Sequence, residues 1–146
     1  MTQTVKPDHV HRYNLDDQVG FLLRLANQRH ALIFQSHIVG NLTPTQFSTL
    51  MRLSETGPVS QNHLGRLAAM DIATTKGVVD RLKAKRLVRS AADETDKRRS
   101  VISLTQSGME LIETLRRAGT AISEETLSPL TAREQEMLIT LLRKLS

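Results

Sequence analysis

The stretch that decides the fold runs from Asp71 to Thr105 and reads DIATTKGVVDRLKAKRLVRSAADETDKRRSVISLT. It begins with Asp71, whose carboxylate is a good acceptor for the free N–H groups at the start of a helix. Apolar or small residues then recur at helical spacing: Ile72, Thr75, Val78, Val79 and Leu82. The period changes afterwards, because Leu87–Ser90 and Val101–Leu104 have the composition of short strands and flank a charged tip. The stretch therefore predicts a helix followed by a β-hairpin.

The positive charge of the chain is concentrated in the same stretch. From Lys76 to Arg99 there are nine Lys or Arg and four Asp or Glu, a net charge of +5, which equals the formal net charge of the whole chain. The other residues together are neutral. A helix and hairpin that hold the entire positive excess are typical of a surface that binds a polyanion such as DNA. The alternative is a basic face that is merely solvated.

Length and composition limit the remaining possibilities. With 146 residues, 3% aromatics and no tryptophan, the chain is expected to form one domain with a core of packed aliphatic helices. The lack of cysteine excludes disulfides, thiolate metal sites and cysteine redox sensors. No apolar run approaches the ~20 residues that span a bilayer, and the polar start has no signal-peptide core. We therefore expect a cytoplasmic protein with no membrane partner.

Several helices are expected before the basic stretch. Residues 1–14 are polar and predict a flexible arm, and a long helix is expected from about Leu15 to Val39. Thr43-Pro44-Thr45-Gln46 then supplies an N-cap, a proline at the first helical position and a glutamine for a capping box. Ser60 can cap a short third helix, which a tight link joins to the helix after Asp71. Two helices so joined predict a helix-turn-helix, and the hairpin makes it a winged helix over about residues 43–105.

Further helices are expected at the carboxyl end. Thr105 or Ser107 can cap a fifth helix, Pro129 ends it, and Thr131 begins a sixth with a capping box. The apolar stripes of the first, fifth and sixth helices are too extensive for the small winged unit to cover. Residues 15–40 and 106–146 are therefore predicted to form a two-fold homodimer interface. The alternative is that both ends pack on their own chain. The predicted fold class is mainly α with a small β-hairpin wing.

The wing run DETDKRRSVISLTQSG is similar to the wing signature of the multiple-antibiotic-resistance regulators, the MarR family of bacterial winged-helix repressors. The matching residues are Asp93, Asp96, Arg98, Leu104, Thr105 and Gly108. The resemblance covers about residues 15–146 as a single domain, and it implies a DNA-binding transcriptional repressor released from a pseudo-palindromic operator by a small aromatic acid or phenol. Two positions depart from the family: Glu94 replaces a frequent proline, and Gly77 lies inside the recognition helix.

The candidate DNA contacts divide into residues that position the protein and residues that read bases. The start of the third helix offers hydrogen bonds to phosphate, and the first turns of the recognition helix reach base edges in the major groove. Cations farther along that helix can neutralise phosphate. These predicted DNA-binding residues are Gln61, Asn62, Thr74, Thr75, Lys76 and Arg81.

The hairpin tip offers a second kind of contact. Arg98 is the candidate for a minor groove, whose negative potential favours arginine. Asp96 is predicted to orient the tip by pairing with Arg98 or Arg81. Lys97 and Arg99 are further candidates for DNA binding, with plain solvent exposure as the alternative.

The resemblance also implies an effector site between the dimerisation helices and the DNA-binding lobe. In family members that sense aromatic acids, an arginine and a histidine of the first helix contact the ligand, and Arg24 and His30 fall at the matching positions. Arginine suits a carboxylate because it donates two parallel hydrogen bonds. Ile122 and Ser123 of the fifth helix would line the same crevice. The alternative is that Arg24 pairs with an acid across the dimer and His30 is a hydrogen-bonded core histidine.

Other functional classes remain open at this point. His9, His11, His30 and His37 with an acid suggest a zinc-responsive regulator as one alternative, and a ligand-independent DNA-binding protein is another. No phosphate loop, HExxH or serine-elbow motif occurs, so an enzyme is not expected. No cofactor is expected either, only a small-molecule effector.

Overall fold

The structure, a computed structural model, describes residues 12–146, so most of the predicted arm (residues 1–14) lies outside the described residues. Helices α1–α6 and strands β1–β3 follow in this order: α1 Val19–His37, α2 Pro44–Thr56, β1 Val59–Ser60, α3 Gln61–Leu67, α4 Ile72–Ala84, β2 Val88–Ala92, β3 Ser100–Leu104, α5 Gln106–Leu127 and α6 Ala132–Leu145. The predicted fold class, mainly helical with a small β wing, is confirmed. Within residues 12–146, no helix has both the length and the apolar character to cross a membrane.

The first helix is shorter than predicted at both ends. Asn14 caps a separate 3₁₀ turn, Leu15–Asp17, by accepting a hydrogen bond from the Asp16 N–H at 3.1 Å. Gln18 is extended, so α1 starts only at Val19. At the other end Ile38 is extended as well, and the turn that follows is made by Gly40 and Asn41, both at positive φ.

The predicted start of α2 is confirmed. The Thr43 hydroxyl accepts from the Gln46 N–H at 3.2 Å, and the Gln46 side chain accepts from the Thr43 N–H at 3.1 Å. Ser60 caps α3 as predicted, with its hydroxyl accepting from the His63 N–H. Strand β1 was not predicted, because two residues are too few to show a strand pattern. It pairs antiparallel with β3, Val59 opposite Ile102.

The helix and hairpin of the basic stretch form as predicted, with longer strands. The Asp71 carboxylate accepts from the Thr74 N–H at 2.7 Å and so caps α4. Strands β2 and β3 pair from Val88 opposite Leu104 to Ala92 opposite Ser100, in a sheet of order β1-β3-β2. Strand β2 therefore ends at Ala92, two residues closer to the hairpin tip than the predicted end at Ser90.

Thr105, and not Ser107, caps α5. Its hydroxyl accepts from the Gly108 N–H at 3.1 Å and donates to the Arg86 carbonyl at 2.7 Å, which joins the helix to the end of α4. Ser107 already lies inside the helix. Gly108 is required at this junction, because a Cβ there would collide with the Leu87 carbonyl. The Thr131 capping box of α6 is confirmed, since Thr131 and Glu134 bond each other's backbone N–H.

The main core lies where α2, α3, α4 and the sheet meet the first half of α5. Its buried side chains are Leu42, Leu50, Leu53, Leu64, Val78, Val79, Leu82, Val88, Ile102, Ile112 and Leu115. A smaller cluster of Ile33, Phe34 and Ile122 joins α1 to α5. Phe34 meets Phe47 edge to face, with ring centroids 5.9 Å apart. The winged unit is thus rigidly packed, and α1 and α5 lie beside it.

Candidate nucleic-acid interface and effector site

The recognition helix α4 is fixed against α3 by an exceptionally close contact. A Cβ on Gly65 of α3 would collide with the hydroxyl of Thr75, so glycine is what allows the two helices to approach. The Thr75 hydroxyl donates to the Asp71 carbonyl at 2.6 Å, and the residue is 2% exposed. The prediction that Thr75 reads base edges is therefore wrong, because its side chain lies in the core between the helices.

The outward side of α4 carries Ile72, Thr74, Lys76 and Arg81. Ile72, predicted to belong to the apolar inner face, is 76% exposed, because the buried face begins only at Thr75. Lys76 and Asp80 form an ion pair at 2.9 Å, and the hydrogen bond from Lys76 is the main reason that the pKa of Asp80 is lowered. Both side chains are more than half exposed, so the pair is weak and Lys76 can exchange the carboxylate for a phosphate or base.

The wing tip presents one arginine held by one carboxylate. The Asp96 carboxylate accepts from the backbone N–H and the Nε of Arg98, both at 3.1 Å. These bonds lower the pKa of Asp96, so it stays ionised as a fixed partner. Arg99 lies farther away, with 3.8 Å between its Nε and the carboxylate. The Arg98 side chain is 91% exposed, and it is therefore aimed outward from an anchored backbone.

A groove of about 280 Å³ lies between the start of α3 and the wing. It is lined by Ser60, Gln61, Asn62, Arg66, Arg98, Arg99 and Ser100. The structure thus brings four predicted DNA-binding residues into one place and adds Arg66, which the sequence reasoning missed. The sequence could have indicated Arg66 through its spacing, because it lies one helical turn after Asn62 and so on the same face of α3. Lys97 is exposed at the tip and does not line this groove.

The four predicted effector residues are not gathered into one crevice in a single chain. Arg24 is exposed, with its guanidinium carbon 5.4 Å from the centre of the Phe21 ring. His30 is half-buried, and its Nδ1 lies 2.8 Å from the Thr126 hydroxyl. Ile122 is 4% exposed inside the cluster with Ile33 and Phe34, so it does not line an open crevice as predicted. Ser123 points to solvent.

Beside His30, α1 holds the carboxyl end of α5 through contacts that the sequence did not reveal. The Arg29 guanidinium donates to the carbonyls of Thr126 at 2.7 Å and Glu125 at 2.9 Å. These carbonyls belong to the last turn of α5, and the carboxyl end of a helix attracts cations. His37 Nε2 lies 2.9 Å from the Glu125 carboxylate. One of the two effector candidates of α1, His30, is therefore joined to α5, whereas Arg24 is not.

The part of the chain that the structure describes contains no group of three or more His, Asp or Glu arranged to hold a metal ion. Two histidines of the predicted zinc set, His9 and His11, lie outside the described residues. The other two, His30 and His37, contact Thr126 and Glu125.

Comparison with known proteins agrees with this architecture. The MarR family model matches residues 42–100, which include the helix-turn-helix and most of the wing. The chain is 42% identical over 134 residues to the HTH-type transcriptional repressor NicR of Pseudomonas putida, covering 91% of this chain and 85% of NicR.

Solved structures extend the match beyond the winged unit. A probable transcriptional regulator from Pseudomonas aeruginosa is 50% identical, with a TM-score of 0.88 over 91% of this chain and 100% of the other. Bordetella bronchiseptica BpsR, in a structure that describes regulation of its DNA binding by 6-hydroxynicotinic acid, is 37% identical, with a TM-score of 0.86 over 91% of this chain and 96% of BpsR. The chain belongs to the MarR family of winged-helix transcriptional regulators.

Proposed function

We propose that this chain is a homodimeric repressor that leaves a pseudo-palindromic operator when it binds a small aromatic carboxylic acid. Members of the family are DNA-binding regulators, not enzymes, and they need no cofactor. The observation that carries the effector class is the likeness to BpsR, whose DNA binding is regulated by 6-hydroxynicotinic acid, an aromatic acid with a ring hydroxyl. That likeness covers 91% of the chain.

DNA binding is supported by the continuous surface that α3, α4 and the wing form. Arg98 extends from the tip, Arg66 and Arg99 line the groove beside it, and Lys76 lies on the recognition helix. Cations at this spacing neutralise phosphates on either side of a helix that enters the major groove. The same groove contains Gln61 and Asn62, which can add neutral hydrogen bonds to the phosphate backbone of the DNA.

A two-fold dimer is supported by the apolar side chains that α1 and α6 leave exposed. Helix α6 buries none of its residues in the single chain, although it carries an apolar stripe. The exposed large hydrophobic residues on the two helices are Val19, Leu22, Leu23, Leu25, Leu32, Met137, Ile139, Leu141, Leu142 and Leu145. Stripes of this size need a partner, and a second copy related by two-fold symmetry is the usual one.

For the effector, we assign the carboxylate to Arg24 and a weaker hydrogen bond to His30. Arg24 is exposed and its contact with Phe21 leaves its N–H groups available for a carboxylate. His30 lies about one and two-thirds turns farther along α1 and is joined to α5 through Thr126. A ligand held by both residues would shift α1 relative to α5. That shift would change the separation of the two recognition helices in the dimer.

The test is operator binding by the purified full-length chain, titrated with 6-hydroxynicotinic acid at fixed salt. We expect the acid to lower operator affinity, and 6-hydroxynicotinamide, which has an amide in place of the carboxylate, to have little effect. Retained operator binding with no response to any aromatic acid would favour a ligand-independent DNA-binding protein. Release by divalent zinc alone would favour the metal-responsive alternative.

A further inference from the structure

Ile72 is an apolar side chain in the middle of the basic surface. It is the first residue of α4, directly after the Asp71 cap, and it is 76% exposed, the highest value among the large exposed hydrophobic residues of the described range. Ile72 lines an open groove with Asn62, Arg66, Met70 and Ala73. An exposed isoleucine beside an arginine is not explained by the core of the single chain.

Dimerisation does not explain Ile72 either. The exposed hydrophobic residues of α1 and α6 belong to the terminal helices, whereas Ile72 lies on the recognition helix, one turn before Lys76. In a helix-turn-helix, the first residues of the second helix face base edges in the major groove. Ile72 is therefore expected to be covered by the DNA that the neighbouring cations bind.

The chemistry of the major groove leaves one occupant for such a side chain. Isoleucine has no donor or acceptor, so it gains nothing from the polar atoms of guanine, cytosine or adenine. Thymine alone presents an apolar group there, its C5-methyl. On the basis of the proposed function, we propose that Ile72 reads sequence by packing on the 5-methyl group of a thymine in each operator half-site.

Fixed geometry makes Ile72 suitable for this role. Asp71 caps the helix with a 2.7 Å bond to the Thr74 N–H, and Thr75 is locked between α3 and α4, so the first turn of α4 cannot easily shift. A β-branched side chain has few rotamers in a helix. Ala73, exposed beside it, has no side chain long enough to hold the base edge away.

The experiment uses deoxyuridine, which lacks only the 5-methyl of thymine and pairs in the same way. The full-length chain first selects its operator from a pool of random duplexes. Each thymine is then replaced by deoxyuridine, symmetrically in both half-sites, and the dissociation constant is measured at fixed salt for the parent, Ile72→Ala and Met109→Ala. Met109, on α5, is the matched control, because it is an exposed apolar residue away from α4.

We expect the parent to lose affinity at one thymine position, about fourfold per half-site and about 16-fold for the symmetric operator, since one buried carbon corresponds to about 0.8 kcal/mol. Ile72→Ala should bind the thymine operator more weakly and show no uracil penalty at that position. Met109→Ala should keep the penalty of the parent. Circular dichroism should show equal helix content in all three, since alanine favours a helix.

Two failures are distinguishable. If the parent binds its operator selectively and Ile72→Ala keeps every uracil penalty, the thymine contact is overturned while the repressor assignment stands. If the parent selects no sequence at all, the proposed function and the contact both fail.

Discussion

At the scale of single residues, the wing tip depends on an arginine that is held by one carboxylate and is still almost fully exposed. Asp96 fixes the position of Arg98 through two 3.1 Å hydrogen bonds, yet the arginine side chain is 91% exposed. No stability of the free protein rests on such an exposed contact. Arg98 is therefore expected to matter for binding and very little for folding.

Arg98→Ala should weaken operator binding by roughly 1–3 kcal/mol. If Arg98 also neutralises a phosphate, the slope of log affinity against log salt concentration should fall by about one. The dimer should remain intact. Binding measured at several salt concentrations checks both effects. Arg116→Ala is the control, because Arg116 pairs with Glu113 on α5 away from the wing and should leave affinity nearly unchanged. Equal affinities of Arg98→Ala and the parent would remove Arg98 from the interface.

Arg24→Ala should abolish release by the aromatic acid while leaving operator affinity nearly unchanged. A ligand moves an equilibrium only by its differential affinity for the two states, so losing the carboxylate contact removes the switch. His30→Ala should weaken the response less, because a neutral hydrogen bond contributes less than a charge-assisted one. The check is operator binding titrated with 6-hydroxynicotinic acid. Joint loss of DNA binding and dimerisation in Arg24→Ala would instead make Arg24 a structural ion-pair partner.

The cap of α4 carries a pH dependence. The Thr74 backbone N–H lowers the pKa of Asp71, so this cap stabilises the folded state above the unfolded pKa, about 3.9. The contribution is lost as pH falls through the lower folded pKa. Asp71→Asn keeps a capping side chain and removes the titration. Between neutral pH and pH near 3, the urea midpoint of unfolding should therefore fall less for the variant than for the parent. An equal fall would contradict the assignment.

At the scale of elements, the sequence predicted what depends on local chemistry. The caps at Thr43, Ser60, Asp71 and Thr131 were found because each is a side chain that bonds the backbone N–H three residues away. Strand β1 was missed because it exists only through its partner β3. Ile72 was assigned to the buried face and is exposed, whereas Thr75 was assigned both to the buried face and to DNA reading and only the first holds. Helical spacing alone therefore does not decide burial at the start of α4.

Contacts distant in sequence explain the other errors at the candidate site. Arg29 bonds carbonyls 96 and 97 residues away, and no local pattern marks it. Lys85, at the end of α4, donates to the carbonyls of Gly40 and Asn41 at 3.0 and 2.7 Å. Lys85 therefore positions the end of the helix. It joins the recognition helix to the turn that ends α1.

Gly108→Ala tests the junction of the hairpin and α5. The new Cβ would meet the Leu87 carbonyl, and backbone cannot give way as a flexible side chain can. We expect a loss of roughly 1–3 kcal/mol in the free energy of unfolding, the usual cost of overpacking. Gly77→Ala is the matched control: its nearest neighbour is the flexible end of Arg81, so it should gain about 1 kcal/mol from helix propensity. Chemical denaturation distinguishes the two, and similar effects of both would contradict the close contact.

At the scale of the whole molecule, the charge and the apolar surface are segregated. The net positive charge lies between Lys76 and Arg99, on α4 and the wing, and the uncovered apolar side chains lie mostly on α1 and α6. The winged unit was predictable as one domain because its core is made within residues 42–115. For the terminal helices the sequence predicted a dimer interface from their apolar stripes, but not its contacts, because the surface that would bury those stripes belongs to a second molecule.

A dimer would use both surfaces, the apolar one to hold the two chains together and the basic one to bind DNA. We expect sedimentation at micromolar concentration to show a stable dimer and DNA footprinting to show half-sites about 10–10.5 bp apart, one helical turn, since each recognition helix enters one major groove on the same side of the duplex. Leu141→Glu places a charge in the apolar stripe of α6 and should give monomers with greatly weakened operator binding, because each half-site alone holds only half of the contacts. Lys144→Glu changes the charge of an exposed neighbour on the same helix and should leave the dimer in place. A parent chain that sediments as a monomer and binds a single half-site as tightly as the full operator would show instead that α1 and α6 serve some other contact.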